Sequence, residues 1–269
     1  MDLDLRKLRY FAAVAEHRNF GRAAEKLYIA QPVLSRQIKA FEQELDCALF
    51  VRTTRTVQLT PAGQRLYEES QGILAAVDAV VRRVHDVDRS VRRLVVAFSP
   101  GLYVSEVIRE FTTRHPDVET DVVPVRWWEP DAPLRDGRAQ IGYLREPFDE
   151  SGLQVIRVGH DPRVVCLPAA HPLAARADLT LADLDGERML HPEKRRNSTL
   201  EEKFELIASG QGLALVPRSV ARAYVRPDLV HRLVTDAPGS DTCLAVPVDH
   251  HDKLLREFLA LATEMLRHA

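Results

Sequence analysis

A run of polar side chains near the amino terminus has the chemistry that reads DNA base edges. Gln31 can pair with N6 and N7 of adenine, and Arg36 can pair with O6 and N7 of guanine. Ser35 and Lys39 suit phosphate oxygens. Pro32 follows Gln31 directly and lies in the same stretch of chain. These five residues are candidate DNA contacts, provided that one helix presents them together.

Helical periodicity supplies such a helix. Apolar residues at spacings of three and four predict a first helix over residues 5–17. Asn19 is a candidate N-cap for a second helix ending near Leu27, and Pro32 suits the first turn of a third. Two short helices joined by a tight turn predict a helix-turn-helix, with the polar run on the outer face of its second helix.

Further basic residues surround this unit. Arg9 on the first helix is a candidate phosphate contact. Arg22 at the start of the second helix is a further candidate DNA contact. Residues 49–59 are β-prone and predict a wing, on which Arg52 and Arg55 either contact phosphates or the minor groove, or are simply solvated. Residues 1–65 carry eleven basic and seven acidic side chains, while the remainder carries 26 and 32. The positive end is therefore where DNA is expected.

A long helix should follow the wing. Thr60 is a candidate N-cap, Pro61 suits the first position, and no proline occurs from there to residue 91. Apolar residues recur close to heptad spacing at Leu66, Ile73, Leu74, Val77, Val80, Val81, Val84 and Val87. An isolated helix with such a stripe is marginal in water, so pairing with a second copy is predicted.

Beyond residue 92 short β-branched runs alternate with helical stretches, which is typical of an α/β domain. Strands are expected at 94–98, 120–125, 140–144, 164–167 and 213–216, and helices at 104–115, 200–209 and 253–267.

Other classes of protein are disfavoured. There is no apolar run of membrane-spanning length and the start is too charged for a secretory signal, so a cytoplasmic location is expected. Cys47, Cys166 and Cys243 are too far apart to suggest a disulfide framework or a zinc cluster. No nucleophile elbow, phosphate loop or metalloprotease motif occurs, and the adjacent pair His250-His251 is a poor metal motif.

Several motifs together resemble one family. RAAEKL (22–27), QPVLSRQI (31–38), EQEL (42–45), LF (49–50) and LTPAG (59–63) are similar, in this order, to the DNA-binding domain of LysR-type transcriptional regulators. FSPG (98–101), DGRAQIG (136–142), PAAHPL (168–173) and ASGQGLALVP (208–217) are similar to the effector domain of that family. The resemblance covers nearly the whole chain.

The resemblance implies a bacterial, non-enzymatic regulator without a cofactor. Its expected parts are a winged helix-turn-helix (1–60), a dimerisation helix (61–91) and a two-lobed α/β domain like periplasmic binding proteins (92–269), with lobe I at 92–162 and 240–269 and lobe II at 163–239. The implied partners are double-stranded DNA with inverted half-sites, a small-molecule effector, a second copy in a homodimer or homotetramer, and RNA polymerase.

The resemblance also implies an effector cleft between the lobes. Ser99, Pro100, Gly101 and Leu102 are expected to form one wall at a helix N-terminus, where free backbone N–H groups attract a carboxylate or other anion. Arg145 either pairs with that anion or forms a surface or interlobe salt bridge, and His191 either faces Ser99 or is an ordinary polar residue.

In one place the chain departs from the family pattern. Between residues 192 and 199 only a few mostly charged residues replace an expected helix and strand, through a true deletion or an omitted segment. The second lobe is therefore expected to be short. An architectural DNA-binding protein without a ligand is the alternative that this shortening leaves open.

Overall fold

A computed structural model describes residues 3–52, 57–88, 91–190, 199–249 and 252–267. The chain divides into two compact units, Met1–His85 and Asp86–Ala269. Arg55, His191, the pair His250-His251 and the short segment at 192–198 lie outside the described residues, and only the backbone of Arg52 is described.

The first unit is a winged helix-turn-helix followed by a long helix. Its elements are α1 (Leu5–His17), α2 (Phe20–Lys26), α3 (Gln31–Glu44), β1 (Phe50–Arg52), β2 (Val57–Leu59) and α4 (Pro61–Asp88). Asn19 caps α2 by accepting a hydrogen bond from the backbone N–H of Arg22. Thr60 Oγ1 accepts from the backbone N–H of Gly63 at 2.9 Å. Both predicted caps are confirmed.

One apolar core holds the three short helices to the wing. The Phe11 ring of α1 lies 5.3 Å from that of Phe50 in β1, measured between centroids. Ala23 of α2 is fully buried, and its small side chain lets the helices approach closely. The Glu42 carboxylate accepts hydrogen bonds from the backbone N–H groups of Leu49 and Phe50 at 2.9 and 3.1 Å. This side chain therefore fixes the start of the wing to α3.

The start of α3 lacks a side-chain cap, because its N-cap residue is Ala30. We expect Ala30→Ser to raise the free energy of unfolding by about 1 kcal/mol, since a serine hydroxyl accepts a hydrogen bond from a first-turn N–H. Urea denaturation measures the change. Ala48→Ser, in an exposed segment outside the helices, is the control. An equal gain in both variants would contradict the prediction.

The long helix α4 uses its apolar residues on two sides. Leu66 and Leu74 pack against the core of the first unit, whereas Ile73, Val80 and Val84 are 37, 49 and 62% exposed. The sequence predicted a single stripe for all these residues. That prediction was wrong in part, because the same helix also covers the core of the helix-turn-helix.

The second unit contains two sheets. Its strands are β3 (Arg92–Phe98), β4 (Val118–Pro124), β5 (Ile141–Arg145), β6 (Leu153–Asp161), β7 (Arg163–Pro168), β8 (Asp178–Leu179), β9 (Ala214–Pro217), β10 (Leu229–Val234) and β11 (Ser240–Pro247). Its helices are α5 (Ser105–Arg114), α6 (Ala132–Arg135), α7 (Leu200–Ala208), α8 (Arg218–Ala223) and α9 (Lys253–Arg267). The strands and helices expected by range in this region are present within one or two residues, whereas β6, β8, β10, β11, α6 and α8 were not predicted.

Each sheet forms one lobe. Lobe I has strand order β4-β3-β5-β11-β6, with β3 parallel to β4 and β5 and with β11 antiparallel to its neighbours. Phe111 of α5 and Phe258 of α9 pack edge to face beneath it, with centroids 5.0 Å apart. Lobe II has order β8-β10-β7-β9, and Phe204 of α7 and Val220 of α8 fill its core. The chain passes between lobes at Pro162 and again after β10.

Candidate functional site

The outer face of α3 carries the predicted DNA contacts. Gln31, Pro32, Arg36 and Lys39 are exposed and Ser35 is half-buried. The opposite face is fixed in the core by Leu34, Ile38 and Phe41. Arg36 and Lys39 form no ion pair with any described residue, so their charges are available to a partner.

The flanking arginines differ from one another. Arg9 forms an ion pair with Asp78 of α4 at 2.7 Å, with both side chains about half exposed. Its charge is therefore already partly compensated within the first unit. Arg22 is exposed at the start of α2. The backbone of Arg52 ends β1, at the base of the wing.

Two exposed residues near α3 were missed in the sequence. Tyr28 is 95% exposed in the turn between α2 and α3 and has a φ of 54°, in the left-handed region. Val33, which helical periodicity assigned to the inner face of α3, is 36% exposed. A large aromatic residue in a helix-turn-helix turn is a signal that could have revealed the first of them.

The segment 99–102 is held more tightly than the sequence suggested. Ser99 N–H donates to the carbonyl oxygen of Tyr143, and Leu102 N–H donates to that of Ser99. The expectation of free N–H groups was wrong for these two residues, because the first is bonded to β5 and the second closes a turn before α5 begins at Ser105. Gly101 has a φ of 80°, and a Cβ there would lie 2.6 Å from the backbone of Ser219 in α8. Its lack of a side chain allows the lobes to meet.

Arg145 lies in a buried interlobe network. Its Nη2 is 2.9 Å from Asp161 Oδ2, and the two side chains are only 10 and 7% exposed. The same guanidinium donates to the carbonyl oxygen of Pro100 at 3.1 Å and to Ser219 Oγ at 2.6 Å. Burial lowers the pKa of Arg145, and the Asp161 carboxylate opposes that shift. Of the roles considered for Arg145, the structure shows a buried salt bridge, which joins β5 to β6 within lobe I. Hydrogen bonds from Arg145 and Asp161 to Ser219 of α8 connect this pair to lobe II.

The predicted wall is divided between two cavities of the second unit. Ser99, Pro100 and Arg145 line a cavity of about 390 Å³ between the lobes, which we call the cleft. Trp127, Trp128, Pro130, Glu146, Pro147, Arg163, Leu200, Lys203, Leu215, Val216, Pro217 and Val220 also line it. Gly101 and Leu102 instead line a cavity of about 670 Å³ on the side of Tyr143 and α9.

Arg163 was not singled out in the sequence. It is the first residue of β7, directly after the crossing between lobes, and its Nη2 donates to Ser240 Oγ at 3.1 Å. Burial lowers its pKa, and the Asp161 carboxylate opposes that shift. A guanidinium that is half withdrawn from water at the edge of a cavity is a strong candidate for holding an anion.

The described residues do not support a metal site, a reactive thiol or a membrane-spanning helix. They contain no cluster of His, Cys, Asp and Glu able to hold a metal ion. Burial raises the pKa of the Cys166 and Cys243 thiols to about 12, so neither is a reactive thiolate at neutral pH. In the described part of the chain, no helix has the length and apolarity needed to cross a bilayer.

The chain is similar to known regulators along almost all of its length. Residues 5–64 match the model of the bacterial regulatory helix-turn-helix protein, lysR family, and residues 88–205 match that of the LysR substrate binding domain. CatR of Pseudomonas putida is 34% identical, covering 87% of this chain and 89% of CatR. The Hca operon transcriptional activator HcaR of Escherichia coli is 28% identical over 98% of both chains.

A solved structure shows the same fold. CbnR, a LysR family transcriptional regulator, matches with a TM-score of 0.63 at 22% identity, over 98% of this chain and 99% of that one. CbnR has also been solved with its target DNA, and that structure matches with a TM-score of 0.58 at 21% identity over 97 and 99% of the chains. The chain therefore belongs to the LysR family of DNA-binding transcriptional regulators, non-enzymatic proteins that carry an effector-binding domain.

Proposed function

We propose that the first unit recognises a specific operator of two inverted half-sites, with α3 in the major groove. The observation that carries this is the division of α3 into a buried apolar face and an exposed face with Gln31, Arg36 and Lys39. Fluorescence anisotropy with DNA from upstream of the protein's own gene tests it. Equal affinity for that DNA and for random DNA at the same salt concentration would contradict it.

Base contacts and phosphate contacts should respond differently to mutation. We expect Arg36→Ala to relax sequence preference, with a cost of about 1–3 kcal/mol on the cognate site. Lys39→Ala and Arg52→Ala should weaken binding to all DNA and reduce the salt slope by about one each. Binding isotherms on cognate and random DNA at several salt concentrations measure both effects.

Arg109→Ala is the control for these variants, because Arg109 is an exposed arginine on α5 in the second unit. It should leave both isotherms unchanged. An equal loss on cognate and random DNA for Arg36→Ala, Lys39→Ala and Arg52→Ala would contradict the division of roles. Tyr28 suits a phosphate contact and Val33 a thymine methyl group, so they join the proposed set.

The unit should act as a dimer or as a dimer of dimers in the cytoplasm. Support comes from the exposed side chains Ile73, Val80 and Val84 on α4, which an apolar partner would cover. A dimer places two helix-turn-helix units on two half-sites, as an inverted operator requires. Contact with RNA polymerase belongs to the same proposal, as the means by which a bound regulator changes transcription.

The second unit should bind a small anion in the cleft and thereby control DNA binding or bending. The support is a cavity of about 390 Å³ with apolar walls and cationic side chains, a size that suits small ligands. A ligand that binds the folded state raises the melting temperature, so a screen of metabolic acids by thermal shift tests this. If no acid changes either the melting temperature or the DNA complex, an architectural protein without a ligand is the better description.

A further inference from the structure

The charges around the cleft do not balance. Arg145 is neutralised by Asp161, and the acidic Glu146 is paired with Arg157 at 2.8 Å. Arg163 has no carboxylate within 4.0 Å among the described residues, and its Nη2 donates a hydrogen bond to the neutral hydroxyl of Ser240. Arg163 is therefore a half-buried cation of the cleft without a carboxylate partner in the described part of the chain. A guanidinium in this state favours a ligand carboxylate, which it can bind through two parallel hydrogen bonds.

Two aromatic side chains also line the cleft. Trp127 and Trp128 are adjacent, half-buried and edge to face, with centroids 5.3 Å apart, and both line the cleft. Arg126 lies 5.8 Å above the ring of Trp128, and Lys203 Nζ lies 5.5 Å from the centroid of Trp127. Indole side chains with exposed surface in a cavity favour flat, apolar ligand groups. They are also the two tryptophans of the chain.

We propose that the cleft binds an aromatic carboxylate, with its carboxylate on Arg163 and its ring against the indoles of Trp127 and Trp128. The proposal rests on the effector-binding function proposed above and gives it a ligand class. Arg163 is then the anchor for charge, while Arg145 keeps the lobes together through Asp161. The anion contact that the sequence suggested for Arg145 is thus assigned to Arg163, the first residue of β7.

Intrinsic fluorescence tests the proposal directly, because all tryptophan emission comes from the cleft wall. The full-length protein is titrated with four probes: phenylacetate, its neutral amide phenylacetamide, the ringless acid acetate, and the saturated analogue cyclohexylacetate. We expect a saturable change with phenylacetate at the lowest concentration, and at least about 10-fold weaker binding of the other three, since each lacks the charge or the flat ring. Equal binding of the amide, or of either non-aromatic acid, would overturn the proposal. So would the absence of a saturable change with millimolar phenylacetate.

Arg163→Gln should weaken phenylacetate binding about 10-fold or more and leave phenylacetamide unchanged. Arg163→Lys keeps the charge but lacks the planar guanidinium, so its affinity for phenylacetate should lie between those of the unchanged protein and Arg163→Gln. Arg176→Gln is the control, because Arg176 is an exposed arginine of the same lobe, ion-paired with Asp183 and outside the cleft. Unchanged phenylacetate affinity in Arg163→Gln, with its melting temperature preserved, would overturn the role of Arg163.

The same probe separates this inference from the regulatory function. Fluorescence reports binding alone, whereas anisotropy of a labelled operator reports control of DNA. Phenylacetate that binds through Arg163 without altering the operator complex would leave the ligand class standing and count against control by ligand. If a neutral metabolite instead of an aromatic carboxylate alters the operator complex, control of DNA binding by a ligand is supported and the proposed ligand class is overturned.

Discussion

Glutamate at positions 80 and 84 of α4 should prevent the proposed dimer from forming. Val80 and Val84 are 49 and 62% exposed in one chain and lie on one side of the helix with Ile73. Each buried apolar side chain contributes about 1.5–3 kcal/mol to association. Two carboxylates in such an interface cost several kcal/mol more, so we expect the dissociation constant of the dimer to rise about 1000-fold or more.

Sedimentation equilibrium of Val80→Glu/Val84→Glu measures the dissociation constant, and anisotropy measures the consequence for DNA. Affinity for an inverted repeat should fall to that for a single half-site, because the monomer binds one half-site at a time. Arg82→Glu is the matched control: it changes net charge by the same two units, and it lies about half a turn of helix away from Val80 and Val84. A monomeric Arg82→Glu, or a dimeric double variant, would contradict the assignment of this face.

Removing the Asp161 carboxylate should destabilise the second unit by about 3–5 kcal/mol, because it leaves the buried Arg145 charge without a partner. Asp161 accepts hydrogen bonds from Arg145 Nε at 3.0 Å, from Ser219 N at 3.1 Å and from Ser219 Oγ at 2.6 Å. One side chain thus connects β6, β5 and α8, which belong to both lobes. Urea denaturation followed by tryptophan fluorescence measures the loss in Asp161→Ala.

Two further variants separate charge from packing. Asp117→Ala breaks an exposed ion pair with Arg92 and should leave the urea midpoint almost unchanged. Arg145→Met/Asp161→Leu removes both buried charges and should recover most of the stability that Asp161→Ala loses. If Asp161→Ala is as stable as Asp117→Ala, the network does not hold the lobes together.

Local sequence patterns were sufficient to predict the main elements of the helix-turn-helix and its wing, although not the two sides of α4. The caps Asn19 and Thr60, the inner face of α3 and the two wing strands were all predicted from sequence, and the structure contains them. Each of these features depends on residues close together in the chain. The exception is Arg9, whose partner Asp78 is 69 residues away and therefore invisible to local pattern.

The second unit was less predictable. The strands β6 and β11 pair with each other across a register shift between Thr242 and Cys243, which breaks the alternation by which a strand is recognised. β10 is buried only at its two ends, so its pattern is weak as well. Of the wall predicted at Ser99, Pro100, Gly101 and Leu102, only the first two line the cleft, and the pattern could not show that Gly101 and Leu102 face a different cavity.

The sequence by itself determined the family, the helix-turn-helix and the residues that α3 exposes, because periodicity, caps and ordered motifs act within a few turns of chain. Only the tertiary structure decided which arginine is free in the cleft. Arg145 and Arg163 are equally basic in the sequence, and the difference between them is the position of Asp161, which gives Arg145 a close ion pair and leaves Arg163 with Ser240. Charge compensation depends on distances of a few ångströms between residues brought together by folding.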